Sequence, residues 1–322
     1  HFNAQVLPLK YNGIKISIHE HYRMKLKNIV LSIVLASSFS TFSYAEDVPF
    51  SQELVVKAKD GDAIAQNDLG EAYYYGYETD KDFVKALEWY KKSAAKGNAD
   101  ALFSVGYMLD KAEGTEEDNP SALKWYTQAA QKDQLHAQYY LAYLYLYGDS
   151  GVSVNTKKGL EWVTKAADAG LDLAQAELGH LYYNGEQEGI PQDLKKALYY
   201  YQLAVEQDES SAINNLGILY LEGKAGLTRD YKEAMRLFTR ASEAEYGLGS
   251  SNIGYMFEEA KGVSKNYKKA AEYYSLAVEQ GDHSALLDLV RLYQIGGFGL
   301  TKSLTKATEY QQQWQELQTE SE

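Results

Sequence analysis

The sequence predicts an all-α solenoid, and three observations carry that prediction. First, one stretch recurs. Gly61 to Lys96 reads GDAIAQNDLGEAYYYGYETDKDFVKALEWYKKSAAK, and its pattern returns with a small residue at Ala65, Ala101, Ala137, Ala174, Ala212, Gly249 and Ala285, 36 to 38 residues apart. Second, each copy holds two apolar stripes at helical spacing. In the first copy Ala65, Leu69 and Tyr73 make one stripe, with Ala72 beside them, and Ala86, Trp89, Tyr90 and Ala94 make the other. Residues three and four apart share a helix face. Third, the 322 residues include only 4 prolines, which suits helices that need their amide donors. A helical hairpin with one apolar face per helix cannot bury both faces alone, so it stacks on copies of itself.

In chain order, residues 1–23 read as an upstream extension outside the fold, and His19-Glu20-His21 within it as a chance cluster. Residues 24–45 read as a signal peptide. Met24 precedes Lys25 and Lys27, an apolar run follows from Ile29 to Ala36, and Ser43 and Ala45 are small residues at −3 and −1 of a cut after Ala45. The run is far shorter than the ~20 residues a membrane span needs. The expected location is the periplasm or the exterior. Without residues 1–45, which carry five basic residues and Glu20, the net charge moves from −13 to near −17. That acidity opposes binding to nucleic acid or to an anionic membrane. The chain has 0 cysteines, so it holds no disulfide, catalytic thiol or zinc–thiolate site.

Residues 46–60 read as a capping helix with Leu54, Val55 and Ala58 on its apolar side. Seven units follow over residues 61–313. Their second helices align on Ala86, Ala122, Gly159, Ala197, Ala234, Ala270 and Ala307. Four residues earlier stand Asp82, Asp118, Asn155, Asp193, Asp230, Asn266 and Ser303, each a good N-cap for orphan amides of the first turn. Asn119-Pro120 could move the second cap by one residue. Three residues after the alignment column stand Trp89, Trp125, Trp162, Tyr200, Leu237, Tyr273 and Tyr310, expected to fill the space between units. First helices carry Gly70, Gly106, Gly179, Gly217 and Gly254 at one repeated position. A mid-helix glycine costs about 1 kcal/mol relative to Ala, so five of them point to close approach of a neighbouring helix. Residues 314–322 read as a C-terminal cap with a frayed tail from Leu317, because Trp314 stands where the other second helices carry the small residues Ser93, Ala129, Ala166, Ala204, Ala241 and Ala277.

The pattern A-x-x-x-L-G-x-x-Y…K-A-x-x-W-Y-x-K-A-A-x-x-G over residues 61–313 resembles the Sel1-like repeat family, a relative of the tetratricopeptide α/α solenoids. The resemblance implies a right-handed superhelical solenoid of about seven helix-turn-helix repeats that acts as an exported bacterial adaptor. It implies two narrower alternatives. One is an immunity protein that neutralises a periplasmic type VI secretion phospholipase effector. The other is the β-lactam-binding or hydrolysing role credited to cysteine-rich relatives, whose cysteines this chain lacks.

In such solenoids the first helices line the concave surface. The outer columns of these helices are rich in aromatic and aliphatic residues in the middle units, where a face needing only solubility would hold Lys, Glu and Gln. The expected partner-binding residues are Phe103, Tyr107, Tyr139, Tyr143, His180, Tyr183, Ile218 and Tyr255. Tyrosine offers large contact area and a hydroxyl at little rotamer cost. Two arrangements fit the columns: an open groove for a protein or peptide, or side chains turned into the next unit as core. The acidic field favours a partner with basic segments.

His136, His180 and His283 fall in three different units, which opposes a shared metal or catalytic pair. Glu113, Glu116, Glu117 and Asp118 lack the spacing of a calcium loop and read as a solvated loop ending in an N-cap. No nucleophile-elbow, zincin, P-loop or dinucleotide motif appears after residue 45. The expectation is therefore a monomeric non-enzyme with no catalytic residue, cofactor or metal.

Overall fold

The computed structural model describes residues 50–148, 151–185 and 189–319. The expected extension and signal peptide lie outside these residues. Two compact units divide the chain, one ending at Asp193 and the other starting at Leu194.

The N-terminal unit holds α1 (Gln52–Asp60), α2 (Ala63–Tyr75), α3 (Phe83–Ala94), α4 (Ala99–Asp110), α5 (Asn119–Gln131), α6 (Leu135–Tyr143), α7 (Thr156–Asp168) and α8 (Asp172–Asn184). Each helix packs on the next. Helix α1 buries Leu54 and Ala58 against Ala65 and Leu69, as a cap on the first hairpin should. The C-terminal unit holds α9 (Leu194–Val205), α10 (Ser210–Glu222), α11 (Tyr231–Glu243), α12 (Gly247–Glu258), α13 (Tyr267–Glu279), α14 (Ala285–Ile295) and α15 (Leu304–Thr319). The described residues thus form an all-α helical repeat fold. Helix α15 includes Trp314 and Leu317 and runs to Thr319.

The caps follow the sequence. Side chains of Asp82, Asp118, Asn155 and Asn266 each accept from the amide three residues on, as does Ser303, and Asp230 accepts from two amides. Asp118 keeps the cap, and Pro120 takes an early helical position where its missing donor costs nothing. The cap's own amide does a second job. Those of Asp82, Asp118, Asn155, Asp193, Asp230, Asn266 and Ser303 donate to Tyr73, Leu109, Tyr145, Tyr182, Tyr220, Phe257 and Tyr293 at 2.7–3.0 Å. One backbone bond therefore pins each loop to the end of the preceding first helix.

The glycines admit the neighbouring helix, as expected, by making room for one of its rings. A Cβ on Gly70, Gly106, Gly217 or Gly254 would stand 2.7–3.0 Å from the ring of Tyr90, Tyr126, Phe238 or Tyr274. These rings lie one residue beyond the expected aromatic column, and they are buried. Trp89, Trp125, Trp162, Tyr200, Tyr273 and Tyr310 are half-buried instead, with Leu237 alone fully inside. The deep ring needs the glycine because helix and ring share one space.

The third repeat reverses this fit. Its first helix has Ala142 at the glycine position and ends in a π-helical turn, Leu144–Gly148. Leu146 fills the gap, and the close approach moves to Gly159, whose Cβ would lie 2.6 Å from Leu146 Cγ.

Candidate interaction surface

The first-helix columns decide what this fold can offer a partner. In the N-terminal unit they carry five tyrosines, Tyr74, Tyr107, Tyr139, Tyr143 and Tyr183. Tyr74 and Tyr107, from successive repeats, place their rings 6.4 Å apart. Tyr74 meets Tyr75 at 4.8 Å, and Tyr75 meets Tyr77 at 5.0 Å. Tyr143 meets Tyr147 at 5.0 Å, and the Tyr147 hydroxyl donates to the buried carboxylate of Glu177. Burial, followed by the Glu177 charge, holds that phenol well above its usual range. Tyr140 donates to Asp110 Oδ2 at 3.2 Å, and Lys111 Nζ lies 2.7 Å from the same oxygen.

The eight residues expected on an open groove divide by burial. Tyr107, Tyr139, Tyr143, His180 and Tyr183 in the N-terminal unit and Ile218 in the C-terminal unit are only 2–8% exposed. Phe103 and Tyr255 are half-buried. The expectation of a solvent-facing column is therefore corrected for six of the eight. The reason is reach. A tyrosine on one first helix extends to the first helix of the next repeat, and the rings cover one another. Phe103 shows the same reach, with Tyr126 at 5.5 Å and His136 of the following repeat at 6.2 Å. His180 Nε2 lies 2.8 Å from Asn184 Nδ2.

The C-terminal unit fills these columns with polar pairs. Asn252 Nδ2 donates to Asn214 Oδ1 at 2.8 Å, and Ser251 donates to Asp282. Arg291 bridges to Glu258, with Nη2 2.7 Å from Oε2, and to Asp288 Oδ1 at 3.0 Å. Tyr274 donates to Glu258 Oε2 at 2.9 Å. Arg291 is held above its usual range, chiefly by its hydrogen bonds to Glu258. Burial raises the Tyr255 phenol, and the charges of Glu259, Glu222 and Glu258 add to it.

Glu113 corrects a second expectation. Asp118 is an N-cap and Glu116 and Glu117 are exposed, as expected, but Glu113 is half-buried. Its Oε2 is buried without a hydrogen-bond partner. Among the described residues, no group of three or more His, Asp or Glu is placed to hold a metal, and no helix is long and apolar enough to cross a membrane.

The Sel1 repeat family model matches residues 63–98, 99–134, 135–171, 172–209, 210–246 and 242–282. The chain belongs to the Sel1 repeat family. The seventh hairpin, α14 and α15, lies beyond the matched Sel1 segments. A Sel1 repeat protein from Oxalobacter formigenes is 25% identical with a TM-score of 0.70, over 77% of this chain and 96% of that one. The Escherichia coli protein c5321, a protective antigen of uropathogenic strains, is 28% identical with a TM-score of 0.54, over 83% of this chain and 64% of that one. The Arabidopsis thaliana ERAD-associated E3 ubiquitin-protein ligase component HRD3B is 48% identical over 46 residues, 14% of this chain and 8% of that protein. The chain therefore spans less than a tenth of the length of that curated relative.

Proposed function

We propose that this Sel1 repeat protein is a scaffold that binds a partner protein or peptide along the aromatic ends of its first helices, without chemistry of its own. The observation that carries this reading is the ring ladder of the N-terminal unit, where Tyr107, Tyr74, Tyr75 and Tyr77 touch in sequence and end in an exposed ring, Tyr77. Rings locked against one another lose little entropy on binding, and phenols enrich protein interfaces. We place this activity outside the cytoplasm, on the strength of the leader read at residues 24–45.

Photo-crosslinking tests the reading without unfolding the protein. A benzophenone amino acid replaces Tyr77, Tyr147 or Tyr255 in turn, and the exposed Tyr199 of α9 as the control. The expected result is one adduct from an envelope extract at the first-helix positions and none at Tyr199. Equal adducts at Tyr199, or adducts only there, would overturn it. A single phospholipase in the adduct would specify the immunity role.

A further inference from the structure

One turn is written twice in the C-terminal unit. Gly223-Lys224-Ala225-Gly226-Leu227-Thr228-Arg229-Asp230 joins α10 to α11, and Gly296-Gly297-Phe298-Gly299-Leu300-Thr301-Lys302-Ser303 joins α14 to α15. Three left-handed positions match, with φ of 68°, 60° and 87° at Gly223, Ala225 and Gly226 against 65°, 47° and 86° at Gly296, Phe298 and Gly299. Gly297 adds a fourth at 95°. Leu227 N donates to Lys224 O and Leu300 N to Gly297 O, both at 3.0 Å. Alanine thus fills in one copy the place that Phe298 fills in the other. A phenylalanine in the left-handed region is strained, and such residues gather where a protein makes contacts. The Phe298 ring is 57% exposed. It meets Tyr267 at 4.8 Å, with Lys265 Nζ 5.1 Å from its centroid. Ile295 and Leu304, on either side of the turn, are exposed as well.

The turns inside the hairpins lie side by side. The Tyr267 amide donates to Phe298 O at 3.0 Å, which ties the seventh repeat's turn to the sixth. The sixth presses on the fifth, where a Cβ on Gly262 would fall 2.4 Å from Tyr231 Cβ. Positive charge gathers along them. Segments 223–233, 259–269 and 296–306 hold nine lysines and arginines against three acids. The turns between hairpins, at the other ends of the helices, reverse this. Segments 206–209, 240–246 and 279–284 hold seven acids and Arg240, which bridges to Asp208. Among the described residues, Lys224 is the one cation of the nine in an ion pair, with Glu222. The acidic chain therefore has a cationic end, and Phe298, Ile295 and Leu304 stand on it.

An anionic bilayer receives both features at once, because lysine and arginine reach lipid phosphates while apolar groups enter the boundary of the acyl layer. The acidic turns of a second copy would meet only the charge. Among their described residues no large apolar side chain is exposed.

We propose that this end of the C-terminal unit docks on the surface of an anionic membrane, with Phe298, Ile295 and Leu304 in the headgroup layer and Lys265, Lys268 and Lys302 on lipid phosphates. Local charge governs such a contact rather than net charge, since charges more than about 10 Å away are largely screened near physiological salt. The inference goes beyond partner binding along the first helices and stands without it.

A polarity-sensitive nitrobenzoxadiazole probe tests it, carried by single cysteines in a chain that has 0 of its own. Thr301→Cys marks the cationic end and Glu243→Cys the acidic one, both at exposed positions. Vesicles of phosphatidylcholine and phosphatidylglycerol in equal parts should shift the Thr301 probe to the blue and leave the Glu243 probe unchanged. Vesicles of phosphatidylcholine alone should move neither, and added salt should reverse the shift. Phe298→Ala, a residue this turn already accepts at Ala225, should raise the lipid needed about tenfold. Lys265→Gln with Lys302→Gln should raise it about thirtyfold. No shift at Thr301, equal shifts at both probes, or parent-like binding in the folded double variant would overturn the proposal. So would a Thr301 shift that grows with protein concentration and needs no vesicles, which would put a second copy on this end. Attachment through residues 24–45 does not single out Thr301, and crosslinking at Tyr77 is read separately from either result.

Discussion

Gly106 in the second repeat and Gly254 in the sixth each receive a tyrosine ring, Tyr126 and Tyr274, from the paired second helix. Both repeats end the first helix in a carboxylate, Asp110 or Glu258, followed by the same Ala-x-Gly loop. From there they part. In the sixth repeat the carboxylate accepts Tyr274 and Arg291, so both the phenol and the carboxylate are met within the molecule. In the second, Asp110 is one methylene shorter and takes Tyr140 and Lys111, while Tyr126 and one oxygen of Glu113 have no partner. One frame therefore serves two ends. A closed cluster stabilises its own unit, and an open one keeps hydrogen-bonding capacity for something else. Unmet buried groups cost stability, which is the reason a folded protein keeps few of them.

The largest test of this contrast removes the closing charge. Arg291→Met should destabilise the C-terminal unit by about 2–3 kcal/mol, because Glu258 is left buried and unpaired; a fully buried pair would cost about 3–5. Urea denaturation followed by circular dichroism measures it, and adding Glu258→Met should restore most of the loss. A smaller difference separates the two phenols. Tyr274→Phe should cost about 1.5 kcal/mol for a bond to a charged acceptor, whereas Tyr126→Phe should stay within about 0.5 kcal/mol of the parent. Equal losses would mean that Tyr126 does have a partner in solution.

The glycines should answer more alike. Overpacking costs about 1–3 kcal/mol, and Gly→Ala returns about 1 kcal/mol of helix propensity. Gly254→Ala and Gly106→Ala should each lose about 1 kcal/mol, with Gly254 the more sensitive because its nearest ring atom is at 2.8 Å rather than 3.0 Å. Thermal melts of the two variants side by side rank them.

The smallest effect is a pH slope in the N-terminal unit. Burial holds the His136 imidazole below its usual range, against a weaker opposing pull from Asp100. The unfolded chain then binds the proton first. Its contribution is complete above about pH 6.5 and is lost as pH falls through and below that value. His136→Phe should flatten the decline in melting temperature between about pH 7 and pH 5. An unchanged decline would assign it to other groups.

The repeat, the hairpins and their caps were legible in the sequence because they depend on near neighbours. An N-cap bonds the amide three residues on, and a small column at Ala86 or Ala122 records close packing in every copy. Seven copies made the period plain. The exposure of the tyrosine columns was not legible. Whether Tyr107 faces water depends on Tyr74, 33 positions earlier, and on how successive first helices line up. Helical angle alone placed Tyr107 outside, and the reach of its neighbour put it inside. Glu113 was hidden for the same reason. Within its own loop it is one acid among four, and only the docking of that loop, Gly114 on Phe83, takes one of its oxygens out of water. The sequence by itself determined the α-helical period, the hairpins and the surplus of acid. The tertiary structure decided which polar groups meet a partner inside the protein, because those pairings join residues a whole repeat apart.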